Sequence, residues 1–140
     1  MIKEATTDAE VLATFPVMSQ LRLHLEEEEY LEVVRRLQRS GYRLAFADEE
    51  GEVRCVAGFR VTEFLAYGKF LYVDDLVTAE DARSEGHGKR MFDWLIGVAR
   101  EEGCSTLQLD SGVQRHEAHR FYMREEMSIF AYHFSKAVGW

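Results

Sequence analysis

The chain has little of what a disulfide-stapled, membrane-spanning or polyanion-binding protein needs. It holds two cysteines, Cys55 and Cys104, in 140 residues, too few for a disulfide framework. Both sit in apolar runs, Val53 to Val61 and Cys104 to Leu109, and read as small buried thiols in a reducing compartment. Pro16 is the only proline, and no Pro- or Gly-rich linker or internal repeat is evident. No apolar run approaches the ~18 residues that cross a bilayer. The start, Met1-Ile2-Lys3-Glu4-Ala5, has no apolar stretch of the signal-peptide kind. No membrane partner is expected, and the expected location is the cytoplasm. Positive charge is also short: 17 Lys and Arg against 25 Asp and Glu give a net charge of −8. That argues against a general nucleic-acid surface and is compatible with a cationic acceptor such as an amine.

What is present suits one globular domain over residues 1–140. The hydrophobic fraction is 46% and the aromatic fraction 12%. A chain of this length buries roughly 70% of its unfolded surface and needs no staple. Ile2 to Ala5 reads as a short strand. Asp8 is the expected N-cap of a helix from Ala9 to about Arg22, bent or broken near Pro16. Glu26 to Arg39 reads as a second helix, stopped by Gly41. The period then changes to strands over Tyr42 to Ala47, Val53 to Phe64 and Lys69 to Thr78. A helix from Gly88 to Glu102, a strand from Cys104 to Asp110, a short helix from Glu117 to Glu125 and a last strand from Ser128 to Phe134 complete the reading. The order β-α-α-β-β-β-α-β-α-β implies a mixed α/β (α+β) domain, because hairpin-joined strands lead into a β-α-β unit.

The most informative segment is Arg83-Ser84-Glu85-Gly86-His87-Gly88-Lys89, between the third long strand and the following helix. Gly86 and Gly88 allow a turn with exposed N–H groups. A helix start adds further unpaired N–H groups and the positive end of a dipole, which together favour phosphate oxygens. A dinucleotide fingerprint needs glycine where Met91 stands, and a P-loop needs glycine at Arg83 and Ser or Thr at Arg90. Both fail, leaving R-x-x-G-x-G.

That motif, in that setting, resembles the pyrophosphate-binding loop of GNAT-type N-acetyltransferases. A second segment, Ala118-x-x-Phe121-Tyr122 on a helix after a strand, resembles another GNAT motif. The element order also matches that fold over nearly the whole chain. The resemblance implies a single domain with a central, mostly antiparallel mixed sheet flanked by helices, and acetyl-coenzyme A as co-substrate. It implies cofactor contacts at Leu76, Val77, Thr78, Arg83, Ser84, Glu85, Gly86, His87, Gly88 and Lys89. It also implies Tyr122 as the acid that protonates the departing thiolate. A tyrosine titrates near 10, as an alkyl thiol does, so the transfer is nearly balanced. The chain departs from the family at Arg115, where Asn is common, and at Glu126, where Gly often ends the helix.

Further expectations concern the acceptor. Asp74 and Asp75 lie on the strand expected along the cofactor arm. Strand alternation lets only one face the acceptor side. Asp75 is the candidate base and Asp74 a substrate contact, though the sequence does not say which is which. Glu26 and Glu29 open a helix that, by the resemblance, partly walls the acceptor site and could attract an amine; a solvated, dipole-favoured first turn is the simpler account of them. His116 and His119 are one residue short of H-E-x-x-H spacing, and no metal is expected. The reaction expected is acetyl transfer to a primary amine, small or peptidic. A longer acyl group or a binding module without turnover is the alternative. The aromatic last strand is expected to offer an edge for a homodimer.

Overall fold

In the computed structural model, which describes residues 1–139, a strand β1 (Ile2–Glu4) leads into helices α1 (Asp8–Ala13) and α2 (Phe15–Leu21). Thr7, not Asp8, caps α1. The Glu10 N–H donates to Thr7 Oγ1 at 3.1 Å and the Thr7 N–H donates back to Glu10 Oε1 at 3.0 Å, a reciprocal capping box. The helix expected to bend or break near Pro16 is broken into two there, because Pro16 has no N–H and its ring would clash with the preceding turn. It sits instead in the first turn of α2, where a missing donor costs nothing. The pivot, Thr14, is fully buried; its hydroxyl donates to Val11 O at 2.6 Å and lies 2.7 Å from Tyr30 Oη.

Helix α3 (Glu27–Arg39) follows, then strands β2 (Arg43–Glu49), β3 (Glu52–Phe64) and β4 (Gly68–Thr78). A 3-10 turn (Glu80–Ala82) precedes α4 (His87–Glu101), which leads to β5 (Thr106–Leu109) and α5 (His116–Arg124). The strands form one sheet in the order β1-β2-β3-β4-β5. The first three pairings are antiparallel, and β5 joins beyond β4 after the α4 crossover, so the sheet is mixed. Alternation gives each face its own core. Leu44, Phe46, Val56 and Val77 pack under α1 to α3 with Val11, Met18, Tyr30 and Val34. Phe59 turns the other way and meets Trp94 of α4 edge to face at 5.9 Å. Among the described residues no helix is long and apolar enough to cross a membrane.

The chain divides into two compact units, Met1–Gln108 and Leu109–Trp140. In the second, α5 ends with the Glu126 N–H donating to Met123 O at 3.0 Å and the Met127 N–H to Tyr122 O at 3.1 Å. This is a Schellman stop, with Glu126 at φ 65° in the position that favours glycine. Glu126→Gly removes that strain, which outweighs the added freedom of the unfolded chain. The expected gain is about 0.5–1 kcal/mol, or roughly 2–3 °C in Tm by calorimetry.

The expected last strand is absent. Ser128 to Phe134 has no regular structure, and Ile129, Tyr132 and Phe134 are exposed. Adjacent Ile129 and Phe130 break the alternation, so no single face of this segment can be buried against a sheet.

Candidate active site

Strand β4 ends at Thr78, and the chain turns through residues 79–86 into α4. Gly86 is the N-cap of α4, left-handed at φ 86°, a conformation open to glycine and strained for other residues. The first α4 bond runs from the Arg90 N–H to Gly86 O at 3.1 Å. The N–H groups of His87 and Gly88 precede it and open toward the loop at the positive end of the helix. A Cβ at Gly86 would stand 2.9 Å from Arg90 Nη1. Ser84 is also left-handed, at φ 68°. Arg83, Ser84 and Glu85 are exposed. Exposed Lys89 pairs with Asp93 along the helix at 3.2 Å.

The His87 side chain, expected toward the cofactor, is instead buried behind the loop. Its Nδ1 lies 3.2 Å from Arg90 Nη2 and its Nε2 lies 3.3 Å from Glu85 Oε1. Arg90, itself exposed, also donates to Glu85 O at 3.2 Å and so straps the turn. The sequence reading missed Arg90, which carries no motif signal. Among the described residues, Glu49, Glu85 and His87 bring ligand atoms within 4.8 Å of one another. A guanidinium only donates, so His87 Nδ1 accepts and the proton lies on Nε2 toward Glu85. That tautomer has no lone pair at Nε2 for a metal.

The backbone of Leu76 to Thr78 has a defined orientation. The Ala79 N–H donates to Arg54 O at 2.8 Å, and Val77 pairs with Val56 in the same register. Ladder alternation therefore turns the N–H groups of Leu76 and Thr78 away from β3. Ser105 N–H donates to Lys69 O at 2.9 Å, and β5 has four residues. At about 3.3 Å per residue the four residues of β5 end short of Leu76. On the other face the Thr78 hydroxyl donates to Cys55 Sγ at 3.7 Å. Burial pushes the Cys55 thiol up to about 11, so it stays protonated and is no nucleophile.

Asp74 and Asp75 overturn the expectation from simple alternation. Asp75 pairs with Gly58 and Val73 with Phe59, so Asp74 is an extra residue, a β-bulge. The bulge brings both carboxylates into one network on the α1 to α3 face. Asp75 accepts from Arg22 Nε at 2.8 Å and Tyr42 Oη at 2.7 Å. Asp74 is gripped by Arg60 through Nε at 3.1 Å and Nη2 at 2.8 Å. Arg22 Nη2 also donates to the Asp74 carbonyl at 2.8 Å. Burial, then the Asp75 charge, raises the Tyr42 phenol well above its ordinary value, so Tyr42 is the donor. Burial raises Asp74 while Arg60 opposes it. Gly58 makes this possible, because any Cβ there would run into the Tyr42 hydroxyl. Glu26 and Glu29, by contrast, stand exposed at the start of α3 with no part in the network.

Within the second unit, Tyr122 is half-buried on α5. Its ring meets Phe121 at 5.6 Å. Burial raises its phenol above 10, and Arg115 beside it pulls the other way. Its proton is therefore held at neutral pH. His119 Nε2 donates to Gly112 O at 2.8 Å, an ordinary loop contact.

The sequence pattern of the Acetyltransferase (GNAT) family matches residues 9–126. An uncharacterised N-acetyltransferase of Bacillus subtilis, YhdJ, is 34% identical over 139 residues, 98% of each chain. An aminoalkylphosphonate N-acetyltransferase of Salmonella typhimurium is 29% identical over 98 residues, 69% of this chain and 62% of that one. A solved structure described as a transcriptional regulator from Bacillus halodurans superposes with a TM-score of 0.85 at 22% identity, over 98% of each chain.

Proposed function

The chain belongs to the GNAT acetyltransferase family, and from that premise we propose that it transfers an acetyl group from acetyl-coenzyme A to a primary amine. The single observation that carries this reading is the left-handed Gly86 cap, which opens the first turn of α4 where β4 ends. Its N–H groups and the absence of a side chain at Gly86 fit a pyrophosphate. Bound acetyl-coenzyme A supplies the acyl group already activated as a thioester.

The residues divide the remaining work. The N–H groups of residues 84–89 hold the pyrophosphate, with Arg83 and Lys89 adding exposed charge. One of the outward N–H groups of Leu76 and Thr78, about 6.6 Å apart along the strand, donates to the acyl carbonyl oxygen, where negative charge develops, and the other pairs with the arm of the cofactor. Asp75, held by Arg22 and Tyr42, takes the proton of the acceptor ammonium directly or through water. Asp74, locked to Arg60, shapes the acceptor wall, and Glu26 and Glu29 attract the cation. Tyr122 gives its proton to the departing sulfur. Holding amine and acyl carbon together supplies the entropic part of the rate gain. The net charge of −8 favours a cationic acceptor. The N-acetyltransferase names of the relatives support an amine. No metal step is needed, and the whole chain acts as one catalytic domain in the cytoplasm.

The test is thiol release from acetyl-coenzyme A with a panel of primary amines, including amino acids, aminoalkylphosphonates and peptide N-termini. Amine-dependent release is expected. Tight coenzyme A binding with no release from any amine would favour a binding module; release only from a longer acyl thioester would correct the acyl group.

A further inference from the structure

Arg22 ends α2 and reaches across to β4. It caps the helix at φ −108° and ψ 81°, and its guanidinium lies side-on to the bulge. Nε donates to Asp75 Oδ1 and Nη2 to the Asp74 carbonyl, both at 2.8 Å. A guanidinium is a planar fork of N–H donors with more than one usable edge. The side-on edge is taken. Nη1 and the second N–H of Nη2 make up the end-on edge, and among the described residues Nη1 has no partner. The Arg22 side chain is 42% exposed and that of Asp75 13%, so the guanidinium stands between the carboxylate and solvent.

We propose that the acceptor is a zwitterion, an amine with a carboxylate or phosphonate close by, whose anion sits on the end-on edge of Arg22 while its ammonium meets Asp75. This rests on the amine acetylation proposed above and names its substrate class. Arg22 pairs with Asp75 and Arg60 with Asp74, so the cluster is electrically balanced. The net charge of −8 draws a cation from a distance. Beside Asp75, however, a bare ammonium also meets Arg22, which repels it. A negative group on the same acceptor offsets that repulsion and finds a planar pair of donors, the geometry that suits an oxyanion. Asp75 has capacity for the ammonium. Oδ1 accepts from Arg22 and Oδ2 from Tyr42, and a carboxylate accepts about four hydrogen bonds. Ordinary hydrogen-bond lengths on Asp75 and on one small guanidinium beside it set the spacing of the acceptor's charges at roughly one to three carbons.

The test is kcat/KM for thiol release from acetyl-coenzyme A with glycine, β-alanine and aminomethylphosphonate, each against its uncharged counterpart (glycinamide, β-alaninamide and the phosphonate diester). A preference of at least about tenfold for the best anionic acceptor is expected, the scale on which a site rejects a ligand that leaves its charged donors unpaired. Whether a carboxylate or the phosphonate gives it identifies the anion. In Arg22→Gln the preference should disappear. In Arg22→Lys, which keeps the charge and loses the fork, it should fall part of the way. The ratio within each protein cancels the lost support of Asp75, and comparing the two ratios cancels the differing basicity of the amines. Equal use of the acids and their uncharged counterparts by the wild-type protein overturns the proposal, as does an undiminished preference in a folded Arg22→Gln. Absence of turnover with every amine counts against the activity instead. Calorimetric titration of the coenzyme A-loaded wild-type protein with the same pairs then decides, and binding no tighter for the acids overturns the proposal.

Discussion

Tyr122→Phe lowers turnover about 10²-fold or more, the usual scale of general acid catalysis. The ring and its contact with Phe121 at 5.6 Å remain; only the hydroxyl is lost. Coenzyme A affinity and Tm should stay close to wild type. The pH profile gives a second check. Burial raises the Tyr122 phenol above its ordinary 10 and Arg115 holds part of that rise back. The phenol therefore contributes an alkaline limb, above its ordinary 10, as it loses its proton. That alkaline limb should vanish in the Phe variant, whose residual rate comes from water. Full turnover in Tyr122→Phe would assign the proton to another donor. Lost stability with little lost turnover would make Tyr122 a packing residue.

Gly86→Val should weaken coenzyme A binding at least tenfold by calorimetry, equivalent to about 1.4 kcal/mol or more. Two independent costs add at this residue. Its φ of 86° lies where a β-branched side chain is strained. Its Cβ would also stand 2.9 Å from Arg90 Nη1, pressing on the strap that joins Arg90 to His87 and to the Glu85 carbonyl. Arg90 is exposed and its guanidinium can move aside, so the backbone strain is the larger of the two. Lys89→Ala is the control. Its pair with Asp93 leaves both side chains more than half exposed, so a smaller loss is expected from solvent-screened charge. Affinity unchanged in Gly86→Val would remove the loop from the binding site.

The position of this loop was legible in the chain because it is written locally. Gly86 and Gly88 after a β-branched run and before a helical period are short-range signals. So are the Pro16 break, the Gly41 stop and the long strands β3 and β4. The cap at Thr7 escaped because Asp8 is an equally good capping residue by composition, and the reciprocal bond with Glu10 decides between them. The last strand was misread because β-rich composition is only a tendency. A strand forms when a ladder partner exists, and none pairs with Ser128 to Phe134 among the described residues.

By itself, then, the sequence determined which segments are helix and strand in the first 108 residues, where a glycine turn opens a helix, and which family motifs are present. These follow from backbone preferences and spacings that act over a few residues. Tertiary structure alone decided how Asp74 and Asp75 share one face. That outcome needs a bulge opposite Gly58, and partners drawn from the end of α2, the residue before β2 and the strand β3 in Arg22, Tyr42 and Arg60. It also decided that His87 is buried against Arg90 and that Leu76 and Thr78 present their N–H groups on the side of β4 away from β3. Register and side-chain pairing across strands depend on residues far apart in the chain, so no local pattern encodes them.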